Sequence, residues 1–318
     1  MADVPRVLLI CSIILLLVDM AVVIWYFYMQ KDVVSGNEGA RNVITLIVLL
    51  ALASFAFSFG LVIYRDINSS RLAAYAFGGA ALMTLLVCWS VAELEGQKRR
   101  AMETVETIVS ILEVENASLD GHSMHVYNLT MLLYDYLPYR MKRKINRVNL
   151  SYASLFIDLG KLGIPARVLN KTGKLLSDEW AIMKRHPEIS ARIFESIPSF
   201  QAVHDWILYH HERMDGNGYY HKAGREIPLA SRVITVADTY SSITMNRSFK
   251  ASLSYSDAML ELKLAAGTQL DPELVEIFSQ IPRKRIEACF EDVRQRMARF
   301  KEEGFREEPG GGNKGEKQ

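Results

Sequence analysis

Seven histidines carry most of the chemical potential of this 318-residue chain: His122, His125, His186, His204, His210, His211 and His221. All lie between residues 122 and 221, and the 121 residues before them contain none. The densest stretch is His210-His211-Glu212-Arg213-Met214-Asp215-Gly216-Asn217-Gly218-Tyr219-Tyr220. Adjacent histidines at a helix end, followed by a glycine-rich turn, can hold a metal and bring backbone close to a ligand. The three cysteines, Cys11, Cys88 and Cys289, build neither a disulfide framework nor a thiolate zinc site. Metal chemistry would therefore fall to imidazole and carboxylate, a donor set suited to iron, manganese or zinc in a hydrolytic site. Plainer roles compete for several of these residues. His186 before Pro187 fits a helix end, and one of His210 and His211 fits a satisfied core histidine. Asp215, Gly216, Gly218 and Tyr219 fit a turn, and Tyr219 fits core packing as well as stacking on a base. His204 and His221 read as solvated.

The elements that must position these residues fall into an apolar and a charged part. Lys and Arg number 37 against 36 Asp and Glu, so no global field draws the chain to duplex nucleic acid. Half the residues are hydrophobic, which excludes global disorder. A mean hydropathy of +0.07 beside 23% charged residues implies an apolar segment joined to a charged one. Three apolar runs occupy residues 1–92, at about 7–30, 42–64 and 72–92, each near the ~20 residues that cross a hydrocarbon core. They predict three transmembrane helices, with the lipid bilayer as partner. Five Lys/Arg on one side against three on the other place the C-terminal part in the cytoplasm. Trp25, Tyr26 and Tyr28 suit an interfacial belt. Asp19, the one ionisable group inside a run, reads as protonated or partnered against another helix. The connecting loops, of about 11 and 7 residues, leave no room for an external sensor domain.

Residues 93–121 predict a linking helix, with Ile108, Ile111 and Leu112 at helical spacing, through which two copies could pair. Residues 122–303 predict an all-α domain. Leu129, Leu132, Leu133 and Tyr136 mark one helical face, Ser177-Asp178-Glu179 an N-cap, and Asp271-Pro272 another. Pro282–Glu303 reads as a long charged helix, and residues 304–318 as a disordered tail. His125 reads by default as a helix-surface residue.

The motifs, taken in order, resemble the HD-GYP branch of the HD phosphohydrolases over about residues 105–282. Leu159-Gly160-Lys161-Leu162-Gly163-Ile164-Pro165 matches the segment after the HD pair, and Asn170-Lys171-Thr172-Gly173-Lys174-Leu175 the following loop. Met183-Lys184-Arg185-His186-Pro187 matches the next histidine, and His210–Tyr220 the signature HHExxDGxGYP. Glu226-Ile227-Pro228-Leu229, Val236-Ala237-Asp238 and Asn246-Arg247-Ser248-Phe249-Lys250 follow as the family has them. The resemblance implies hydrolysis of a cyclic dinucleotide, usually cyclic di-GMP, to the linear dinucleotide or GMP. It implies two divalent metal ions, most often iron or manganese. Carried over by position, His122, Asp158 and Asp238 would hold the first metal, with Asp158 bridging, and His186, His210 and His211 the second. Lys161 and Asp158 would be catalytic, Lys161 beside the scissile phosphate. Arg247, Lys250 and Tyr219 would meet the substrate.

The pattern has departures. Ile157 stands where the family has the metal-ligating histidine of the HD pair, so a single metal is the alternative count. Tyr220 replaces the proline of GYP, Ser241 stands where the family often has Asp, and His125 where it often has Arg. His125, one turn beyond His122, could stand in for the missing ligand. Two readings follow: a membrane-bound cyclic-dinucleotide phosphodiesterase, or a lapsed receptor or interaction module that binds nucleotide without turnover.

Overall fold

The computed structural model describes residues 7, 10–14, 16–19, 21, 70–115, 121–196, 200–245 and 252–304. The expected second membrane run, most of the first, Arg247, Lys250 and all but the first residue of the expected tail lie outside them. The chain divides into two compact units, residues 1–103 and 104–318.

In the first unit, residues 72–92 fall within a long helix, α1 (Ser70–Glu115). Among the described residues no helix is long and apolar enough to cross a membrane, so the three expected spans gain no support there. Asp19 is buried, and its Oδ2 accepts a hydrogen bond from Thr84 Oγ1 at 2.9 Å, the partnered state expected of it. Large apolar side chains nevertheless face outward: Val7, Ile10, Ile14, Leu17 and Val18 in the first run, and Leu82, Leu85, Leu86 and Trp89 on α1.

The regular elements among the described residues of the second unit are all helices, apart from an isolated bridge between Ala266 and Leu270. After the end of α1 come α2 (His122–Tyr136), α3 (Tyr139–Lys142) and α4 (Arg147–Phe156). A 3₁₀ turn (Leu159–Gly163) leads to α5 (Ala166–Leu169), α6 (Ser177–Met183) and α7 (His186–Arg192). Then follow α8 (Gln201–Leu208), α9 (Leu229–Thr244), α10 (Tyr255–Ala265), α11 (Pro272–Ser279) and α12 (Arg283–Gly304). Local signals set many of these ends. Asn146 Oδ1 accepts from the amides of Val148 and Asn149 and starts α4. Asp271 Oδ1 takes the Glu273 amide, and Pro272 occupies the first turn of α11, as the sequence predicts. The expected Ser177 cap is displaced by one residue. Leu176 is the capping position, and the Glu179 carboxylate reaches back to the Leu176 amide.

The core forms where α9 lies on α2, α2 on α4, and α8 on α4. Leu129, Leu133, Leu150, Ile207, Ile234 and Phe278 are wholly buried there. Each such side chain contributes roughly 1.5–3 kcal/mol. This apolar packing fixes the helices that carry the histidines. α2 also packs on α12, where Asn128 bonds Asp292 at 3.0 Å, and Arg296 of α12 pairs with Glu106 at the end of α1 at 2.6 Å.

Candidate metal centre

Six of the predicted residues converge as two groups with donor atoms close enough to share an ion: His122, Asp158 and Asp238, and His186, His210 and His211. Each comes from an element held by the core. His122 opens α2, Asp238 lies in the third turn of α9, and His186 opens α7. Asp158 follows the last turn of α4, and its carbonyl accepts the Lys161 amide at 2.9 Å to begin the 3₁₀ turn. His210 and His211 follow α8, and the His210 carbonyl is fixed by Thr235 Oγ1 at 2.7 Å.

Asp158 sits between the two groups. Its Oδ2 lies 3.3 Å from His122 Nε2 and its Oδ1 lies 3.4 Å from His186 Nε2. Asp238 Oδ1 lies 3.0 Å from His122 Nε2 and accepts from Ser242 Oγ at 3.2 Å. Lys161 Nζ reaches back to Asp158 Oδ2 at 2.6 Å. His211 Nε2 and His186 Nε2 face each other at 3.2 Å.

The outer nitrogens decide what these rings can bind. His186 Nδ1 lies 2.9 Å from the Met183 carbonyl, and His210 Nδ1 2.6 Å from the Ile207 carbonyl. A carbonyl only accepts, so both Nδ1 atoms carry the proton and both Nε2 atoms keep a lone pair. His210 Nε2 is buried with no hydrogen-bond partner among the described residues. An orphaned buried acceptor is costly, and a cation would satisfy it. The donor set, with no thiolate among it, fits a hydrolytic metal pair such as iron, manganese or zinc.

Charge follows the same logic. Burial pushes Asp158 up, but Lys161, His122 and His186 outweigh it and hold the carboxyl well below its ordinary range. Burial also pushes Asp238 up, and the hydrogen bond and charge of His122 pull it below its ordinary range. Burial lowers His122, yet Asp158 and Asp238 outweigh it and raise the ring. Burial pushes His186 down to about 4 and His125 to about 3. It also lowers His210 and His211. A histidine whose folded pKa lies below its unfolded value of 6.5 gives stability that is present above pH 6.5 and lost as pH falls toward the folded value. The metal-free chain is therefore expected to lose stability steadily from pH 6.5 to 4. Each group contributes about 1.4 kcal/mol per pH unit at most. Urea titrations followed by circular dichroism should show the midpoint falling across this window, and a flat profile would contradict the burial of these rings.

Other predicted residues find different places. Tyr219 is half-buried and its ring lies against that of His211, with centroids 4.7 Å apart, while Lys184 Nζ sits 5.2 Å from the Tyr219 ring centre. Glu212 is a buried carboxylate that accepts from the amides of Tyr220 and Lys222, which closes the loop carrying Tyr219. A Cβ at Gly218 would lie 2.6 Å from the Glu212 Cα, so only glycine lets this loop close. His125 is not at the surface, contrary to the default reading. It is 1% exposed, because its i+3 spacing from His122 puts it on the same inward face of α2. It belongs to neither donor group, and its Nδ1 bonds Ser241 Oγ at 2.9 Å. His221 is exposed, with a φ of 62°, and His204 pairs with Asp205.

Ile157 is wholly buried within the apolar core and offers no donor. Its carbonyl accepts from Ser190 Oγ at 2.9 Å, and Ser190 Oγ in turn accepts from the Gly160 amide at 2.7 Å. Ser190 thus ties the Asp158 turn to α7. The sequence reading missed it, since a lone serine gives no distinguishing signal.

The chain is similar in sequence to several known phosphodiesterases. A cyclic di-GMP phosphodiesterase of Thermotoga maritima is 35% identical over 138 residues, covering 42% of this chain and 38% of that protein. A cyclic di-GMP phosphodiesterase of Vibrio cholerae is 29% identical over 242 residues, covering 70% of this chain and 49% of its own. The 3′3′-cGAMP-specific phosphodiesterase 3 of Vibrio cholerae is 30% identical over 164 residues, covering 51% and 35%. The chain thus spans less than half the length of each of these relatives. The HD domain family matches residues 83–274, more than half of the chain and all six residues of the two donor groups. The chain belongs to the HD domain family.

Proposed function

We propose that this chain is a metal-dependent phosphodiesterase of the HD-GYP branch that hydrolyses a cyclic dinucleotide, with cyclic di-GMP the first candidate. The observation that carries the reading is Asp158, whose two carboxylate oxygens face one donor group each. His122, Asp158 and Asp238 would hold one divalent cation, and Asp158, His186, His210 and His211 a second. When bound, such a pair supplies an acidified water and charge neutralisation at phosphorus. The chain's own residues do the rest. Asp158 holds Lys161 Nζ at the edge of the site, and the ammonium is placed to stabilise phosphoryl charge and to hydrogen-bond the departing 3′ oxygen. Tyr219, fixed against His211, offers a ring on which a base can stack. Arg247 and Lys250 complete the reading as phosphate contacts.

The same proposal places the chain in a bacterial inner membrane with its HD domain in the cytoplasm. Support comes from the three apolar runs and from the outward-facing Val7, Ile10, Leu17, Leu85 and Trp89. Exposed Ile108 and Ile111 support pairing of two copies along residues 93–115.

A second reading has one observation in its favour. Ile157 leaves the first group with three donors, which suits a site that binds nucleotide without turnover. Turnover of cyclic di-GMP by the full chain in detergent, loaded anaerobically with iron or manganese, separates the two. Hydrolysis by the parent chain supports the phosphodiesterase. Binding without hydrolysis, with turnover appearing only in Ile157→His, supports the lapsed site.

A further inference from the structure

His122, His125 and Ser241 form a buried chain that the two donor groups do not use up. Ser241 Oγ lies 2.9 Å from His122 Nδ1 and 2.9 Å from His125 Nδ1. All three residues are at most 2% exposed. We propose that the Ser241 hydroxyl is a one-proton bridge that, with His125 behind it, fixes His122 as its Nδ1–H tautomer and turns the Nε2 lone pair toward Asp158 and Asp238. The inference gives the metal reading above a positioning device.

The argument is a proton count. A hydroxyl has one proton, so between two imidazole nitrogens it donates to one and accepts from the other. His122 sets the direction. Its Nε2 is the nitrogen that joins Asp158 and Asp238 in the donor group, and to serve there it must keep a lone pair, so the one proton of the neutral ring sits on Nδ1. Ser241 then accepts from His122 and gives its own proton to His125 Nδ1. The His125 ring, which burial holds neutral, carries its proton on Nε2, a buried atom with no hydrogen-bond partner among the described residues. The competing acceptor, Met245 Sδ at 3.4 Å, is a weak one. With its proton committed to His125, Ser241 offers only lone pairs to His122, whose Nδ1 must carry a hydrogen.

The bridge opposes a real pull. Asp238 and Asp158 face His122 Nε2 at 3.0 and 3.3 Å, and in a neutral ring they would draw the proton to that nitrogen. A protonated Nε2 cannot ligate a metal. Ser241 and His125 are therefore positioning residues that act through His122.

The test uses the full chain in detergent, with ring-¹⁵N histidine, without metal and with Zn²⁺ as a diamagnetic probe. The expected result is an unprotonated Nδ1 and a protonated Nε2 on His125, with a protonated Nδ1 on His122, in both states. Zn²⁺ titration of Ser241→Ala should show one of two sites weakened about 10–100-fold. Ser241→Thr, which keeps the hydroxyl, should recover most of that loss. A proton on His125 Nδ1, two Nδ1 atoms of the same type, or unchanged Zn²⁺ affinity in Ser241→Ala would overturn the bridge. If the parent takes up no Zn²⁺, the metal reading fails separately, and the ring shifts of the metal-free chain still decide the bridge. Should Ser241→Ala not fold, the parent spectra decide it as well.

Discussion

Asp158→Ala is expected to lower hydrolysis by at least about 10³-fold and to leave the chain unable to hold two ions. Removing a group that merely orients a ligand costs about 10–100-fold in affinity or activity, and Asp158 contacts both donor groups directly. The loss extends beyond the two oxygens. Lys161 Nζ, whose side chain is 17% exposed, would lose the carboxylate that holds it at 2.6 Å. An uncompensated, mostly buried charge costs on the order of 3 kcal/mol, so the metal-free variant should also be less stable. Asp158→Asn separates these effects. It keeps the shape and one acceptor but not the charge, so it should fold more nearly like the parent while remaining inactive. Metal content by elemental analysis, turnover and urea unfolding of the three chains check this. Two tightly bound ions in Asp158→Ala would refute the bridging role.

The two donor groups were legible in the sequence because clustered histidines and their carboxylate partners are chemically conspicuous. Histidines confined to one hundred residues have few structural reasons to cluster, and the order of His186, His210-His211 and Asp238 fixed their register. What the sequence could not show is how the rings are oriented. The carbonyls of Met183 and Ile207 set the tautomers of His186 and His210, yet any residue supplies a carbonyl. Ser241 meets His122 and His125 across separations of 119 and 116 residues, through the packing of α9 on α2. His125 was readable in principle, since residues three apart share a helix face and the face of α2 that carries His122 is buried. The surface default applied a residue-type average where the periodicity pointed inward.

Ile157 shows the same division. The resemblance sets this apolar residue against a ligand position of the HD-GYP pattern, and the packing shows why isoleucine is comfortable there. It ends α4 inside the apolar core, and its backbone does the structural work, accepting from Ser190 while its neighbour Asp158 turns into the site. A histidine at this position would have to bury an imidazole among hydrocarbon side chains unless a cation satisfied it. Ile157→His is therefore expected to fold less stably without metal and to regain stability on metal addition, which makes metal-dependent unfolding a sensitive reporter of whether the imidazole reaches an ion.

The second large effect is expected at a residue that has no side chain, Gly160. A Cβ there would stand 2.1 Å from the His186 carbonyl oxygen, 2.7 Å from the Ser190 amide nitrogen and 2.8 Å from Ser190 Oγ. Two of these neighbours are backbone, so no rotamer change relieves the contact, and the 3₁₀ turn must move away from α7. The turn carries Lys161 and follows directly on Asp158, whereas α7 carries His186. Separating them opens the 3.4 Å approach of Asp158 Oδ1 to His186 Nε2 and weakens the Gly160 amide bond to Ser190 Oγ. Gly160→Ala should therefore destabilise the domain by about 1–3 kcal/mol through overpacking. It should also lower hydrolysis by about 10²-fold, the scale of a 1 Å misplacement. Gly163→Ala is the control within the same turn. Its Cβ would meet only the side-chain carbons of Ile189 at 3.3 and 3.4 Å, which can shift. If crowding between turn and helix governs the site, Gly160→Ala loses metal and activity while Gly163→Ala keeps both. Equal effects from the two substitutions would instead assign the loss to backbone propensity in the turn, and the close approach to α7 would carry no functional weight.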